Sequence, residues 1–255
     1  MLPVSVSSGG AGSLVRLAET LQAGVPCPFS LDVVAALKHW QARCGMIVTV
    51  IAADGEMWRG RLAELNEDGG ILIPFQRSLH PLESSLALAV YQALPEKERF
   101  ELILEKLTEL GVTRIVPFVS QHSSTLAERD AKQPKSHRWP EVLRRAAVQC
   151  RRAIIPELSP CLDFSAVFAD APDTALRLML YEGEGTSSLK ELLAGQECRQ
   201  VVLLVGPEGG FAAEEVAAAR CNGFIPVSLG PRILRTETAA ISAATVIQYD
   251  LGDLN

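Results

Sequence analysis

Residues 201–247, VVLLVGPEGGFAAEEVAAARCNGFIPVSLGPRILRTETAAISAATVI, hold two short apolar runs, each running directly into a glycine-bearing loop and then a helical pattern. VVLLV and IPVSL have the length and continuous apolarity of strands buried on both faces, which is how parallel strands read. The first helix, from about Ala212 to Cys221, closes at Asn222-Gly223, and the second runs toward the C-terminus. Strand, loop and helix repeated in this order predict an α/β fold whose ligand lies beyond the carboxyl ends of its strands. The two strands are expected to be neighbours, so that their loops close over one small molecule.

The same alternation extends upstream to Leu86. LALAVYQAL, VTRIVPFV and LRLMLY read as further strands. Between them, Phe100, Ile103, Leu104, Leu107 and Leu110 share one helical face, which Gly111 ends as a left-handed cap. Pro140 suits the first turn of another helix, whose Leu143, Ala146, Ala147 and Cys150 face inward. SSLKELLAG adds a short helix.

Before Leu86 the pattern is different. MIVTVIAADGEMWRGRLAEL reads as two strands joined through the Asp54-Gly55 turn, and ILIPF as a third short run. The polar segment QRSLHPLESS then marks a boundary, dividing a β-rich domain over 1–80 from a domain over 81–255.

Composition narrows the function classes. With 48% hydrophobic and 21% charged residues, the chain is of ordinary globular type. No apolar run reaches the roughly 20 residues of a membrane helix, and the N-terminus lacks the basic-then-apolar pattern of a secretory leader, so a cytoplasmic location is expected. Six scattered cysteines form no Cys-x-x-Cys pair, which predicts buried reduced thiols rather than zinc or disulfides. Net charge is −6, so any nucleic acid must be held by local rather than bulk charge. One such region is present. Between Glu128 and Arg152, eight Lys or Arg face three acidic residues, leaving Arg144, Arg145, Arg151 and Arg152 as candidate RNA contacts, although a solvated helix face fits the run equally.

The chemistry is expected in the two loops. GPEGGF lacks the G-x-G-x-x-G order of a dinucleotide site and has no acidic strand end about twenty residues on. Its glycines permit positive φ and close backbone approach to a ligand, yet alone the loop also fits a tight structural turn. LGPRILRTETAA, leaving the next strand in the same way, favours the ligand reading. It places Arg232 and Arg235 beside Thr236 and Glu237 at a helix start, where the dipole adds positive potential. Thr236 and Glu237 would equally serve as a helix cap, and the arginines as partners in surface salt bridges.

These segments together resemble a known family. ELGVTRIVPF, VQCRRAIIPEL, LLVGPEGGFAAEEV and LGPRILRTETAA occur in the order found in the RsmE family of the SPOUT superfamily, the uridine-N3 methyltransferases of small-subunit 16S ribosomal RNA. The resemblance covers about Ala89 to Leu251. It implies a catalytic SPOUT domain with a parallel sheet and a deep trefoil knot, preceded by a PUA-like β-barrel that helps to hold RNA. It further implies S-adenosylmethionine as cofactor, ribosomal RNA or the 30S subunit as substrate, a homodimer with its active sites at the interface, and no metal or membrane.

Carried onto this sequence, the first cofactor loop matches at Val205, Gly206, Glu208, Gly209 and Gly210. The second matches at Leu229, Gly230, Arg232, Leu234, Arg235, Thr236 and Ala239. Arg235, with Arg232 as the alternative, is the expected stabiliser of the uridinate anion, since a guanidinium stays charged and donates two hydrogen bonds to a planar anion. The departures lie on the RNA side. Where the family pattern reads A-x-E-Q-x-G-R, this chain has Ala146-Ala147-Val148-Gln149-Cys150-Arg151-Arg152, so a glutamate is replaced by Val148 and a glycine by Arg151. The family's lysine-glycine before the first helix is present only as Glu96-Lys97. LKHWQARCG stands where an arginine-rich helix end is usual, leaving Lys38 and Arg43 to keep part of that role. Another SPOUT methyltransferase acting on transfer RNA, or a non-catalytic RNA-binding relative, remains the alternative.

Overall fold

In a computed structural model the described residues are 8–95, 99–132 and 136–254. Contacts divide them into two units. One contains Ser8–Glu83 and Leu143–Glu157, and the other contains Ser84–Val142 and residues 158 onward. The division thus falls at Glu83/Ser84 rather than at 80/81, and the N-terminal unit also takes in residues 143–157. Hydrogen bonds account for the second difference: Thr49 Oγ1 donates to the Arg151 carbonyl at 3.0 Å, Gly10 N to the Ile155 carbonyl at 2.8 Å, and Ile155 N to Ser13 Oγ at 2.9 Å.

The N-terminal unit is built from β1 (Cys27–Ser30), α1 (Leu31–His39), β2 (Ile47–Ile51), β3 (Met57–Leu65) and β4 (Gly69–Arg77). The strands form an antiparallel sheet in the order β1-β4-β3-β2, and the Asp54-Gly55 turn joins β2 to β3 as the sequence predicts. Helix α1 was not read from the residue pattern, although the resemblance placed a helix end at LKHWQARCG, where α1 stops. It buries Val33, Val34, Ala36 and Leu37, and Trp40 at its end sends Nε1 to the Ser13 carbonyl at 2.5 Å.

The second unit contains β5 (Ala87–Ala93), α2 (Arg99–Glu109), β6 (Arg114–Val119), α3 (Leu126–Lys132) and the start of α4 (Trp139–Gln149). It continues with β7 (Glu157–Leu158), β8 (Leu162–Asp163), α5 (Phe164–Asp170), β9 (Leu176–Leu180), β10 (Ser187–Ser188) and α6 (Leu189–Leu193). Last come β11 (Gln200–Val205), α7 (Ala213–Cys221), β12 (Ile225–Ser228) and α8 (Thr236–Leu251). The sheet runs β10-β12-β9-β11-β5-β6-β7, with β8 paired to β6. Pairings from β10 through β6, and that of β6 with β8, are parallel.

Strand order corrects one expectation. β11 and β12 are not neighbours, because β9 lies between them, pairing Leu178 with both Leu203 and Ile225. The carboxyl end of β9 therefore sits between the two loops.

Residues 201–205 are all buried to 1% exposure or less, as a strand covered on both faces requires. Each such Val or Leu contributes about 1.5–3 kcal/mol by leaving water. Phe100, Ile103, Leu104 and Leu107 of α2 are likewise fully buried, and Gly111 has φ +77°, the left-handed cap. Helix α8 buries Ala240, Ala243, Ala244 and Ile247. Away from the strands' carboxyl ends, Arg114 Nη1 donates to Asp170 Oδ2 at 2.9 Å, and the Tyr91 hydroxyl to the same oxygen at 2.6 Å. Burial opposes ionisation of Asp170, yet these two donors hold its carboxyl below the ordinary value, while burial and the Asp170 charge push Tyr91 up.

The cysteines are free, as expected, but not uniformly buried, since Cys44 and Cys221 are exposed. Among the described residues no helix is long and apolar enough to cross a membrane.

Candidate active site

Beyond the carboxyl ends of β9, β11 and β12, three segments enclose a cleft of about 310 Å³. β9 contributes Leu180, Tyr181 and Glu182. β11 and its loop contribute Val205, Gly206, Pro207, Glu208, Gly210 and Phe211. From β12 and its loop come Val227, Ser228, Leu229, Gly230, Arg232, Ile233, Leu234 and Arg235, and α8 adds Thr236 and Ala239. All the cofactor-loop candidates read from the sequence line this cleft except Gly209. A Cβ at Gly209 would come within 2.9 Å of the His122 Cβ, so this glycine faces the loop after β6 instead.

The first loop is held from below. Phe211 stacks on Phe118 with ring centroids 6.4 Å apart, and its ring lies against Gly206, where a Cβ would approach Phe211 to 2.9 Å. Gly206 is therefore required by packing, not by a left-handed backbone. At the far end of the loop, the buried Glu215 carboxylate accepts from Ala212 N at 3.0 Å, Gln121 N at 2.9 Å and Ser120 Oγ at 3.0 Å. A buried carboxylate so fully satisfied is a structural clamp. Gly230 differs from Gly206. It has φ +114° with open space around its Cβ position, so its constraint is conformational.

A buried polar link ties the loops together. The Thr236 hydroxyl donates to the Gly206 carbonyl at 2.6 Å and accepts from Gln92 Nε2 at 3.0 Å. Gln92, on β5, is fully buried, and its Nε2 also donates to the Ala93 carbonyl at 2.9 Å. Thr236 thus does not cap α8. Arg235 occupies the N-cap, with no side-chain capping bond. Sequence reading missed Gln92, whose single signal is an amide within an otherwise apolar strand.

The cleft carries charges of both signs. Arg232 and Arg235 are exposed, and among the described residues neither pairs with a carboxylate, which removes the surface salt-bridge reading. Arg99, at the start of α2, reaches Glu208 Oε1 with Nη1 at 2.8 Å and lies 3.9 Å from Glu237. This cleft residue was also missed. A cation in the first turn of a helix, against the dipole, is the signal that marks it.

Comparison with known proteins matches residues 82–248 to an RNA methyltransferase domain family, a span containing all three cleft segments. The ribosomal RNA small subunit methyltransferase E of Buchnera aphidicola subsp. Schizaphis graminum is 31% identical over 194 residues, 76% of this chain and 78% of that protein. The chain belongs to this methyltransferase E family. Its Mycobacterium tuberculosis member is 39% identical over 162 residues, 61% of this chain and 60% of that one. The crystal structure of the Neisseria gonorrhoeae member bound to S-adenosyl methionine superposes with TM-score 0.69 and 28% identity, covering 94% of this chain and 98% of that one. A Legionella pneumophila methyltransferase solved with the same cofactor gives TM-score 0.66 and 29% identity, covering 94% and 99%.

The candidate RNA contacts read from the sequence fall in the N-terminal unit. Lys38, Arg43, Arg145 and Arg151 are exposed, and Arg144 is half-buried with Nη1 donating to the Trp40 carbonyl at 3.3 Å. Arg152 corrects the sequence reading: it is 5% exposed, and its Nη2 meets Glu83 Oε2 at 2.7 Å, so it is an internal ion-pair member and not an RNA contact. Glu96, Lys97 and Lys135 lie outside the described residues.

Proposed function

We propose that this chain transfers a methyl group from S-adenosylmethionine to N3 of a uridine in 16S ribosomal RNA, acting in the cytoplasm on the 30S subunit or its RNA. The observation that carries this reading is the pair of exposed guanidiniums, Arg232 and Arg235, on the wall of a cleft made by three strand-end loops. The test is methyl transfer from labelled cofactor to 30S subunits, RNA-depleted extract and transfer RNA in parallel, followed by nucleoside analysis. Label in 3-methyluridine from the 30S arm is the expected result, and label confined to transfer RNA would overturn it.

The cleft suits the cofactor. Its volume lies within the roughly 300–1,000 Å³ of small-molecule sites. Leu180, Val205, Val227, Leu234 and Ala239 offer apolar walls for adenine and the methionine chain, while Glu182 and Glu208 face a cationic ligand. When bound, S-adenosylmethionine supplies an electrophilic methyl on a sulfonium. The chain's own residues do the rest. Gly206 and Thr236 fix the loop, Arg99 orients Glu208, and Arg235, with Arg232 beside it, stabilises the negative charge of a uracil ring that has lost its N3 proton. The base must be unpaired or flipped to enter.

Gly230→Val tests the cofactor assignment. A β-branched residue at φ +114° costs about 1–3 kcal/mol, and we expect the loop to relax away from its ligand-binding path. Calorimetry should show S-adenosylmethionine affinity reduced about tenfold or more in a folded protein, and wild-type affinity would count against the site.

The N-terminal sheet is read as a PUA-like barrel and the second unit as a SPOUT domain with a deep trefoil knot. The hydrogen bond from Thr236 to the Gly206 carbonyl holds the chain entering α8 against the first loop. A homodimer is expected on α8: with Ala240, Ala243, Ala244 and Ile247 packed inward, Ile241 and Val246 stay half-buried and Tyr249 is 63% exposed. Light scattering at micromolar concentration should give twice the monomer mass, and a strictly monomeric mass would remove the interfacial active site.

A further inference from the structure

Immediately after α4 the chain does something an L-residue seldom does. Arg151 has φ +67°, a left-handed conformation that favours glycine. Its backbone is locked from both sides. Thr49 Oγ1 donates to its carbonyl at 3.0 Å, and the next residues are pinned by Glu83, which accepts from Ala153 N at 2.7 Å and Ile154 N at 3.0 Å. The guanidinium is left exposed beside Arg59 of β3.

Thr49, Arg59, Val148 and Arg151 line a small notch of about 20 Å³ within the N-terminal unit. Arg152 also borders it, but Glu83 neutralises that charge. Among the described residues neither Arg59 nor Arg151 meets a carboxylate. Burial first, then the neighbouring charge of Arg151, pulls the Arg59 pKa down, which is the response of two cations facing one space without a counter-ion. Val148, 38% exposed, also lines the notch and brings no charge to it.

The dimensions and neighbours select the anion. Room for one or two water-sized groups accepts phosphoryl oxygens but not a nucleobase. Phe75, 43% exposed, lies beside the notch with the Arg59 guanidinium 5.6 Å from its ring centroid. An exposed aromatic ring next to a phosphate-sized basic notch is the arrangement that holds a nucleotide by its backbone and its base together.

We infer that Arg59 and Arg151 form a notch for one backbone phosphate of single-stranded RNA, with an adjacent base stacked on Phe75. This rests on the reading of the chain as an RNA-modifying enzyme.

The test uses the full chain and a fluorescein-labelled dodecauridylate, with affinity measured across a salt series and S-adenosylmethionine affinity measured separately. Arg59→Ala and Arg151→Gly should each weaken RNA binding several-fold and reduce the salt slope by about 0.7, the share of one phosphate on a single strand. Because both arginines serve the same phosphate, the double variant should lose less than the product of the single losses. Phe75→Ala should cost roughly tenfold without changing the slope. Arg151→Gly places glycine where φ is positive, so its melting temperature should hold or rise, which separates lost binding from lost folding. Unchanged affinity and slope in both arginine variants overturns the notch and leaves methyl transfer untouched. Equal losses toward poly-glutamate, with no effect at Phe75, overturns it in favour of an acidic protein partner. Notch-dependent RNA binding by a chain that methylates nothing upholds the notch and sinks the catalytic reading instead.

Discussion

Arg235→Ala should lower the single-turnover rate of methyl transfer by on the order of a hundred- to a thousand-fold while leaving the affinity for both substrates within a few-fold of normal. The size follows from removing one preorganised donor aimed at developing charge, about 2.7–4 kcal/mol. The distribution follows from timing. On the proposed reading the uracil ring is neutral when it binds and anionic when it attacks, so a guanidinium acting on that charge contributes most in the transition state. Arg235 is placed for this role because it sits at the N-cap of α8 and on the cleft wall, with no carboxylate partner among the described residues to quench it.

Two further measurements separate this role from simple positioning. Arg235→Lys keeps the charge but loses the planar fork, and should recover only part of the rate. Raising the pH supplies more pre-ionised uridine, so the deficit of Arg235→Ala should narrow. A near-normal rate in Arg235→Ala would transfer the role to Arg232, which lines the same cleft. Normal rates in both single variants would remove charge stabilisation by this loop altogether.

How much of this was legible in the sequence depends on whether the deciding interaction is local. The strands at 87–93 and 201–205 were readable because a parallel strand buried on both faces is apolar along nearly its whole length, and that requirement is written in consecutive residues. The loops were readable because each follows such a strand directly. Insertion of β9 between β11 and β12 was not, since strand order is set by crossover packing and not by neighbours in sequence. That is why Tyr181 and Glu182 were absent from the expected site. The cap that Thr236 offered as a competing reading is not made, because its hydroxyl is taken by Gly206 and by Gln92, which lies 144 residues earlier. The glycines of the first loop were read as permitting positive φ and close approach of a ligand. Only Gly210 has positive φ there, and Gly206 and Gly209 instead make room for Phe211 and His122.

The same non-locality hides the role of Arg152, and it leads to the largest expected effect on stability. Glu83 Oε2 accepts from Arg152 Nε at 3.1 Å and Nη2 at 2.7 Å, while Oε1 accepts from the Ala153 and Ile154 amides. The two side chains are 14% and 5% exposed, so water cannot replace the bonds if the carboxylate is removed. Glu83→Ala should therefore destabilise the fold by about 3–5 kcal/mol, the usual cost of breaking a buried pair from one side. In a chain of this size that lowers the melting temperature by on the order of 10 °C. Glu83→Gln, which keeps an acceptor but loses the charge, should fall between Glu83→Ala and wild type. The double variant Glu83→Leu with Arg152→Met removes both charges and should regain part of the loss. Full recovery is not expected, because the Ala153 and Ile154 amides would still lack their acceptor. Since these amides set the path of the chain after Arg151, a charge reversal at Arg152 should weaken RNA binding and melting together, whereas loss of the Arg151 side chain should affect RNA alone. A Glu83→Ala protein that unfolds within about 1 kcal/mol of wild type in a denaturant titration would show that this loop is held by other contacts, and would return Arg152 to the candidates for RNA.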